Sequence, residues 1–318
     1  MFEISVHICT HNPRPDYLRR TLEGLKAQTL PVDRWELLLV DNASTTETAK
    51  TADLSWHPNA RYVSEPAVGK MNALITAIRG ASAKILVTVD DDNVLYPDYL
   101  ERAILIADKY RLLGSWGGQL IPEFEETPPE WTRPYWVHLA IREFDHDRWS
   151  NLGEFSGCVP VGAGMVLRAE VALLHVKEIE NCPVARRLDR HGKDLGGAGD
   201  THLALAALKM GLGNGIFKDL KIKHLMPTSR FTEDYFLSRF EGGALSRHLY
   251  EALNGAPLEP KSSSAFRSLL GKIKRLLTMS SRERKFAEAR MRGYMRAAQF
   301  WKEVGGKEMI ERVHKNTI

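Results

Sequence analysis

Three consecutive aspartates, Asp90 to Asp92, directly follow the short apolar segment 84–89. This segment is mostly β-branched and aliphatic and has a helix-like pattern on either side, which predicts a strand buried on both faces of a parallel sheet. Ligands of open α/β sheets bind just beyond the carboxyl ends of such strands. Adjacent carboxylates repel one another unless a cation offsets their charge, and hard divalent cations prefer carboxylate oxygens. The pattern favours a metal site, with a solvated acidic turn as the alternative.

The first 110 residues alternate between strand-like and helix-like patterns. Strands are predicted at 4–9, 36–40, 60–63 and 84–89, with helices that have apolar positions at helical spacing between them. Strands that alternate with helices form parallel βαβ units. Asp41 and Asp90 each follow a strand, so we expect both at the same edge of the sheet.

Beyond residue 111 the pattern is less regular. Segment 122–149 is rich in Pro, Trp and acidic residues, which predicts loops over a cleft. Segment 159–168 predicts a strand with a glycine kink, and 216–224 predicts a closing strand. Segment 200–210 predicts a helix with Asp200 at its N-terminus, where Asp is favoured as a cap.

Composition narrows the class of protein. With 43% hydrophobic and 26% charged residues among 318, the chain is typical of a soluble globular protein. Its longest apolar runs are far shorter than the roughly 20 residues that cross a bilayer, and no secretory signal is expected at the N-terminus. The three cysteines, Cys9, Cys158 and Cys182, are widely spaced and odd in number, which favours a reducing cytoplasm.

Basic residues are concentrated near the C-terminus. Between Lys261 and Arg296 there are eleven Lys or Arg but only two acidic residues, and residues 266–277 carry an apolar stripe at helical spacing. Such a segment suits an anionic membrane surface, or it packs on its own catalytic domain with the basic face in water. Nucleic-acid binding is not expected, because aromatic residues are not interleaved with the basic ones.

Several short segments follow one another in a characteristic order: Ile8–Pro13, Leu39–Ser44, Gly69–Ala73 and Val89–Asn93. Together they resemble the nucleotide-sugar domain of the inverting family-2 glycosyltransferases. Segments 161–165 and 199–200, with His224 beyond them, resemble the acceptor side of that family. The resemblance covers roughly residues 3–230. It implies a GT-A-like α/β fold, with a mostly parallel central sheet flanked by helices and a C-terminal helical extension.

The resemblance also implies a donor site. His11 stands where a ring often stacks on the base, although a turn histidine is the alternative. Asp41 would accept a hydrogen bond from the base or its ribose, and Lys70 would offset phosphate charge at a helix start. Met71 stands where the family often has Arg, so a surface lysine is the alternative for Lys70. The expected nucleotide-sugar-binding residues are Thr10, His11, Asn12, Arg14, Asp41, Lys70, Asn72, Asp90 and Asp91.

Metal and catalytic roles follow from the same resemblance. Asp92 and His224 are the expected ligands of a divalent metal, Mn²⁺ or Mg²⁺, and Asp200 is the expected catalytic base. The family usually has Glu before this base, whereas this chain has Gly199. A helix cap is the alternative role for Asp200.

These roles predict a hexosyltransferase-like, inverting and metal-dependent enzyme of bacterial polysaccharide or glycolipid synthesis. It would move a sugar from a nucleotide-diphosphate sugar to a hydroxyl of a glycan or lipid-linked acceptor. Residues 1–115 would form the nucleotide-sugar-binding half, 116–254 the acceptor-binding half, and 255–318 a linker and basic helical tail. The enzyme is expected in the cytoplasm, with a peripheral position at the inner face of the membrane left open.

Two other functions remain as alternatives. A nucleotidyltransferase that makes nucleotide-sugars would also use an α/β sheet and acidic metal ligands. It would be expected to carry a glycine-rich N-terminal loop with a basic residue for a triphosphate, which the loop 10–15 lacks. The second alternative is a non-enzymatic nucleotide-binding protein.

Overall fold

A computed structural model of the protein describes residues 2–46, 48–153, 157–180, 182–190, 192, 194–259 and 278–306. The strands are β1 Ile4–Thr10, β2 Trp35–Asn42, β3 Ala60–Glu65, β4 Ile85–Val89, β5 Asn93–Leu95, β6 Leu113–Phe124, β7 Arg148–Ser150, β8 Val166–Arg168 and β9 Gly213–Met226. The α-helices are α1 Pro15–Lys26, α2 Thr48–Thr51, α3 Lys70–Gly80, α4 Tyr99–Lys109, α5 Ala169–Glu180, α6 Pro183–Arg186, α7 Gly199–Lys209, α8 Glu233–Leu253 and α9 Ser281–Glu303. Short 3₁₀ helices span Val32–Arg34, Glu130–Leu139 and Thr228–Phe231.

The chain forms two compact units. The first contains Met1–Lys177 and Asp200–Thr228, and the second contains Glu178–Gly199 and Ser229–Ile318. The predicted boundaries at residues 115 and 254 separate a nucleotide-sugar-binding half, an acceptor-binding half and a tail. This division by binding role stays a prediction.

One sheet runs through the first unit, in the order β3-β2-β1-β4-β8-β6-β9-β5, and β7 also pairs with β9. Strands β3, β2, β1 and β4 are parallel neighbours, as are β6 and β9. Strand β8 is antiparallel to both β4 and β6, while β5 and β7 are antiparallel to β9. Most of the paired length is therefore parallel, and the predicted fold class is confirmed.

Both faces of the central strands are covered, as their near-continuous apolar sequences predict. On one face Ile4, Val6 and Ile8 of β1 share a core with Leu18 and Leu22 of α1. The leucines recur at helical spacing, so a single stripe of α1 is buried. On the other face Leu38 and Val40 of β2 pack with Ala73 and Ala77 of α3. The small alanines let α3 lie close to the sheet.

The segment 159–168 differs from its prediction, because only Val166–Arg168 is a strand. The preceding glycine-rich part forms a loop in which Gly164 has φ +71°. The loop is held by side chains: the Thr88 hydroxyl donates to the carbonyl of Gly162, and the Tyr99 hydroxyl donates to that of Gly164. Glycine allows this left-handed backbone conformation at little cost. The backbone at Gly164 is therefore not extended, and the strand is shorter than predicted.

Helices α8 and α9 pack together in the second unit. The rings of Phe240 and Phe286 lie 4.8 Å apart, centroid to centroid. A β-carbon at Gly293 would lie 2.1 Å from the carbonyl oxygen of Glu241, so this glycine permits close approach of the helices. Helix α9 begins with a capping box formed by Ser280 and Glu283.

The basic face of α9 is paired within this unit. Arg282 and Lys285 contact Glu233, at 3.2 and 2.6 Å, and Arg292 contacts Glu241 at 2.8 Å. Residues 281–303 therefore pack on α8 within the second unit, and docking of the basic tail on a membrane or on the catalytic domain stays a prediction. The apolar stripe predicted at 266–277 lies outside the described residues. Among the helices that are described, none combines the length and apolarity needed to cross a membrane.

Candidate active site

The predicted meeting of strand ends is present. Thr10 at the end of β1 lies opposite Asp41 at the end of β2, and Ile8 lies opposite Val89, the last residue of β4. Thr10, Asp41 and Asp90 therefore come from three adjacent parallel strands. This edge of the sheet is where open α/β folds bind their ligands.

The three consecutive aspartates have different partners. Asp90 Oδ1 lies 3.5 Å from Lys70 Nζ, whereas Asp91 accepts a hydrogen bond from the Thr10 hydroxyl. Asp92 Oδ1 accepts a hydrogen bond from Asn93 at 2.9 Å. Lys70 thus places a positive charge beside Asp90, whereas Thr10 gives Asp91 a hydrogen bond but no charge.

Asp92 and His224 form a buried pair. Their side chains are only 9% and 5% exposed, and His224 Nε2 lies 3.6 Å from Asp92 Oδ2. Pairing of β5 with β9 sets this contact, because Asn93 lies opposite His224 in the ladder. The backbone N–H of Leu225 also donates to the carbonyl of Asp92 at 2.9 Å.

The pair fits a divalent cation as a partial ligand set. In the described part of the chain, no group of three or more His, Cys, Asp or Glu side chains is arranged to hold a metal. However, Mg²⁺ is usually held by one or two carboxylates together with substrate phosphates and water. A carboxylate and an imidazole are both suitable donors for Mn²⁺ as well. Asp92 and His224 would therefore hold a cation that shares its other positions with phosphate oxygens.

Lys70 connects the donor edge with the predicted base. It is the first residue of α3, and its Nζ lies 3.6 Å from Asp200 Oδ1 as well as 3.5 Å from Asp90 Oδ1. The helix start is fixed by Asn42, whose Oδ1 accepts from the N–H of Gly69 at 2.7 Å. Asp200 lies in the first turn of α7. The structure thus brings together three predicted site residues that are far apart in sequence.

Gly162 makes room for the Asp200 carboxylate. A β-carbon at residue 162 would lie 2.3 Å from Cγ, Oδ1 and Oδ2 of Asp200. This role was not found from the sequence, although the glycine belongs to the 161–165 segment that resembles the family's acceptor side. The sequence signal for this role was the run of small residues around Gly162. Such a run suggests that space is needed there but does not show which side chain occupies it.

The loop after β1 is tied to the loop after β2. His11 Nδ1 lies 2.6 Å from the carbonyl oxygen of Asn42, which orients the ring. Asn12 has φ +49°, and its Oδ1 accepts from the N–H of Thr45 at 2.8 Å. Asparagine tolerates this left-handed conformation better than most residues. Base stacking by His11 stays a prediction.

Asp41 is buried and hydrogen-bonded. Its carboxylate accepts from the Tyr62 hydroxyl at 2.5 Å and from the N–H of Ser44 at 3.2 Å. Partial removal of the phenol from water, together with its bond to Asp41, raises the pKa of Tyr62 to about 12. Tyr62 is a second residue that sequence reasoning missed, because its contact depends on the pairing of β3 with β2. A carboxylate oxygen has more than one lone pair, so Asp41 can still accept from a nucleoside.

Arg14 and Asn72 have structural partners. Arg14 contacts Glu125 at 2.6 Å and Asp16 at 3.0 Å, and its guanidinium lies 4.0 Å from the centre of the Tyr17 ring. Asn72 donates to the carbonyls of residues 67 and 68, at 3.1 and 3.2 Å, and so shapes the loop before α3. Direct contact of either residue with a nucleotide-sugar stays a prediction.

A buried histidine lies close enough to Lys70 and Asp90 to be influenced by their charges. His7 is 1% exposed and faces Thr88 across the β1–β4 ladder. Burial lowers the pKa of His7 to about 4; Asp90 opposes this shift and Lys70 adds to it. The imidazole is therefore neutral at physiological pH.

The sheet combines four adjacent parallel strands with the antiparallel β8, and acidic residues lie at its strand ends. These features define an α/β protein of the GT-A type. The model of glycosyl transferase family 2 matches residues 5–168, slightly more than half of the chain. The chain belongs to glycosyl transferase family 2. No curated protein sequence is similar enough to count as a match.

Solved structures with low sequence identity share this fold. TarS 1-349 from S. aureus, in complex with UDP-GlcNAc, has a TM-score of 0.54 and 15% identity, over 81% of this chain and 68% of that one. In another TarS structure the match spans only 41% of the longer chain. The mannosyltransferase PcManGT from Pyrobaculum calidifontis, in complex with GDP-Man and Mn²⁺, has a TM-score of 0.52 and 18% identity, over 94% of this chain and 86% of that one.

Proposed function

We propose that this protein transfers a sugar from a nucleotide-diphosphate sugar to a hydroxyl group of a glycan or lipid-linked acceptor. The observation that carries the proposal is the convergence of Lys70, Asp90 and Asp200 at the carboxyl edge of the sheet, with contacts of 3.5 and 3.6 Å. A cation that can contact phosphate and a carboxylate that can accept the proton of an acceptor hydroxyl are both useful to glycosyl transfer. Family membership gives the reaction class.

The donor side of the proposal rests on the loops after β1 and β2. Thr10, His11, Asn12 and Asp41 line one edge, where a nucleoside would lie. Structural relatives that carry UDP-GlcNAc or GDP-Man support a nucleotide-sugar as donor. The base and the sugar are left open, because these two relatives bind different donors.

A divalent cation held by Asp92 and His224 is part of the proposal. It would supply Lewis-acid stabilisation to the departing diphosphate. The Mn²⁺ in the mannosyltransferase complex supports this choice of cofactor. The protein's own contribution is to bury the two ligands, which limits competition from water.

Asp200 is the proposed general base. Its carboxylate would accept the proton of the acceptor hydroxyl as that oxygen attacks the anomeric carbon. General-base help of this kind is worth about 10²–10⁴ in rate. A single displacement would invert the anomeric configuration, an inference that rests on the family resemblance. Asp200→Asn should therefore lower kcat by at least about a hundredfold.

An anionic membrane surface is the proposed location of a lipid-linked acceptor. Residues 260–277 contain five Lys or Arg and no acidic residue, and they lie outside the described residues. The cations of α9 are less suited to this task, because Glu233 and Glu241 already pair with them. Any membrane contact would therefore fall mainly to residues 260–277.

A thermal-shift screen of nucleoside diphosphates with Mg²⁺ or Mn²⁺ tests the proposal. A ligand that binds only the folded protein raises its melting temperature. We expect one nucleoside diphosphate to stabilise the protein, and to do so more strongly with the metal. Slow metal-dependent hydrolysis of the matching nucleotide-sugar would then separate an enzyme from a binding protein. Stabilisation by triphosphates alone would instead support a nucleotidyltransferase.

A further inference from the structure

Lys70 has two carboxylate partners with different proposed roles. Its Nζ lies 3.5 Å from Asp90 on the donor edge and 3.6 Å from Asp200, the proposed base. The side chains of Lys70, Asp90 and Asp200 are 25%, 38% and 30% exposed, so an incoming ligand can reach all three. Without a donor, the proposed base is therefore paired with a cation.

This pairing is unfavourable for base catalysis. A neighbouring cation stabilises the ionised form of a carboxylate and makes it a weaker base. A diphosphate carries more negative charge than a single carboxylate, and the start of α3 adds a favourable helix dipole for it. The lysine side chain is flexible and can change partners without moving the backbone.

We infer that Asp200 and the donor diphosphate compete for Lys70, so that donor binding releases the base from its counter-ion. This inference rests on the proposed function and adds a role for Lys70 as a positioning residue. Before the donor arrives, Lys70 pairs with the Asp200 carboxylate at 3.6 Å. Once the diphosphate takes Lys70, Asp200 is left to bind the acceptor hydroxyl.

A double-mutant cycle on ligand binding tests the competition. Titration calorimetry would measure the affinity of UDP and of GDP, each with Mg²⁺, for the wild-type protein, Asp200→Asn, Lys70→Gln and the double variant. Exposed ion pairs are worth about 0.2–1 kcal/mol. Asp200→Asn should therefore bind the diphosphate about two- to fivefold more tightly than the wild type. In the Lys70→Gln background the same change should have no effect.

Asp219→Asn is the matched control, since it removes one exposed carboxylate that pairs with Arg102 and not with Lys70. It should leave the affinity unchanged. Equal tightening by Asp200→Asn in both Lys70 backgrounds would indicate direct charge repulsion and would overturn the inference, as would no tightening at all. Failure of the wild type to bind UDP, GDP or any other nucleoside diphosphate would contradict the proposed function itself, and the inference with it.

Discussion

Asp92 differs from its two neighbours in burial and in partner. Asp90 and Asp91 contact Lys70 and Thr10, whereas the Asp92 carboxylate lies against Asn93 and His224 on the buried side. A buried carboxylate with such close neighbours keeps one orientation, which suits a group that binds a metal ion. The resemblance to the family assigns the metal to Asp92 and the nucleotide-sugar to Asp90 and Asp91, and these roles stay a proposal.

Asp92→Asn should remove the metal dependence of diphosphate binding. The amide has the same shape and can still accept from Asn93, so the fold should survive, but it lacks the charge that binds a hard cation. The measurement is the thermal shift with a nucleoside diphosphate in the presence and absence of Mg²⁺. Asp91→Asn is the control and should keep the metal effect. An unchanged metal effect in Asp92→Asn would remove this residue from the ligand set.

The buried His7 leads to a prediction of how the stability of the protein depends on pH. Its pKa is about 4 in the folded protein, against 6.5 for an ordinary histidine, so the unfolded chain binds the extra proton between these values. Stability is therefore fully present above pH 6.5 and is lost as the pH falls toward 4. At pH 5 the loss from this one group should be about 2 kcal/mol.

Urea denaturation at pH 7 and pH 5 would measure this loss. His7→Val removes the titrating group, so its free energy of unfolding should fall less between the two pH values than that of the wild type. The exposed His138 is the control, and His138→Val should retain the full dependence. An identical pH dependence in His7→Val and the wild type would show that burial of His7 does not couple to folding.

At the scale of elements, the glycine-rich loop before β8 controls the position of α7's first turn. The loop runs through Gly162, whose missing side chain leaves space for the Asp200 carboxylate. The hydroxyl of Thr88 in β4 donates a hydrogen bond to the carbonyl of Gly162 and so holds the loop in place. A loop and a strand together therefore decide where the proposed base lies.

Gly162→Ala should lower turnover without unfolding the protein. The new methyl group would lie 2.3 Å from the Asp200 carboxylate, and the flexible end of that side chain would have to move away. A displacement of about 1 Å costs on the order of a hundredfold in rate. Gly153→Ala is a suitable control, because no atom of the described residues lies within 4 Å of its added β-carbon. Wild-type turnover in Gly162→Ala would mean that Asp200 does not need its present position.

At the scale of the whole molecule, the basic C-terminal region divides into two parts. Helix α9 uses its cations in ion pairs with α8, whereas the five basic residues between 260 and 277 lie outside the described residues. Lys272, Lys274 and Arg275 are the densest group in that stretch. Polybasic segments gain about 1 kcal/mol per charge near an anionic bilayer.

Replacing Lys272, Lys274 and Arg275 with Gln should weaken sedimentation with phosphatidylglycerol vesicles by at least about tenfold, because three favourable charges are lost. Added salt should weaken the wild-type binding in the same way. A triple Gln variant at Arg282, Lys285 and Arg292 removes equal charge from α9 and should bind vesicles nearly as well as the wild type, provided the helix remains folded. Equal sedimentation of all three proteins would exclude membrane docking through residues 272–275.

The alternation of strands and helices, and the placement of Asp41 and Asp90 at strand ends, could be predicted from the sequence alone. Hydrophobic periodicity is a local property, since it depends only on the repeat of each element. The carboxyl ends of parallel strands must then meet at one edge. The general location of the site therefore follows from the order of residues along the chain.

Only the tertiary structure decided which way each polar side chain points. The contact of Lys70 with Asp200, the space left by Gly162 and the bond from Tyr62 to Asp41 join residues that are distant in sequence. The close pairing of Asp92 with His224 likewise depends on β5 lying beside β9. No repeat or local preference encodes these contacts, because they arise from the packing of strands and loops that meet only in the folded chain.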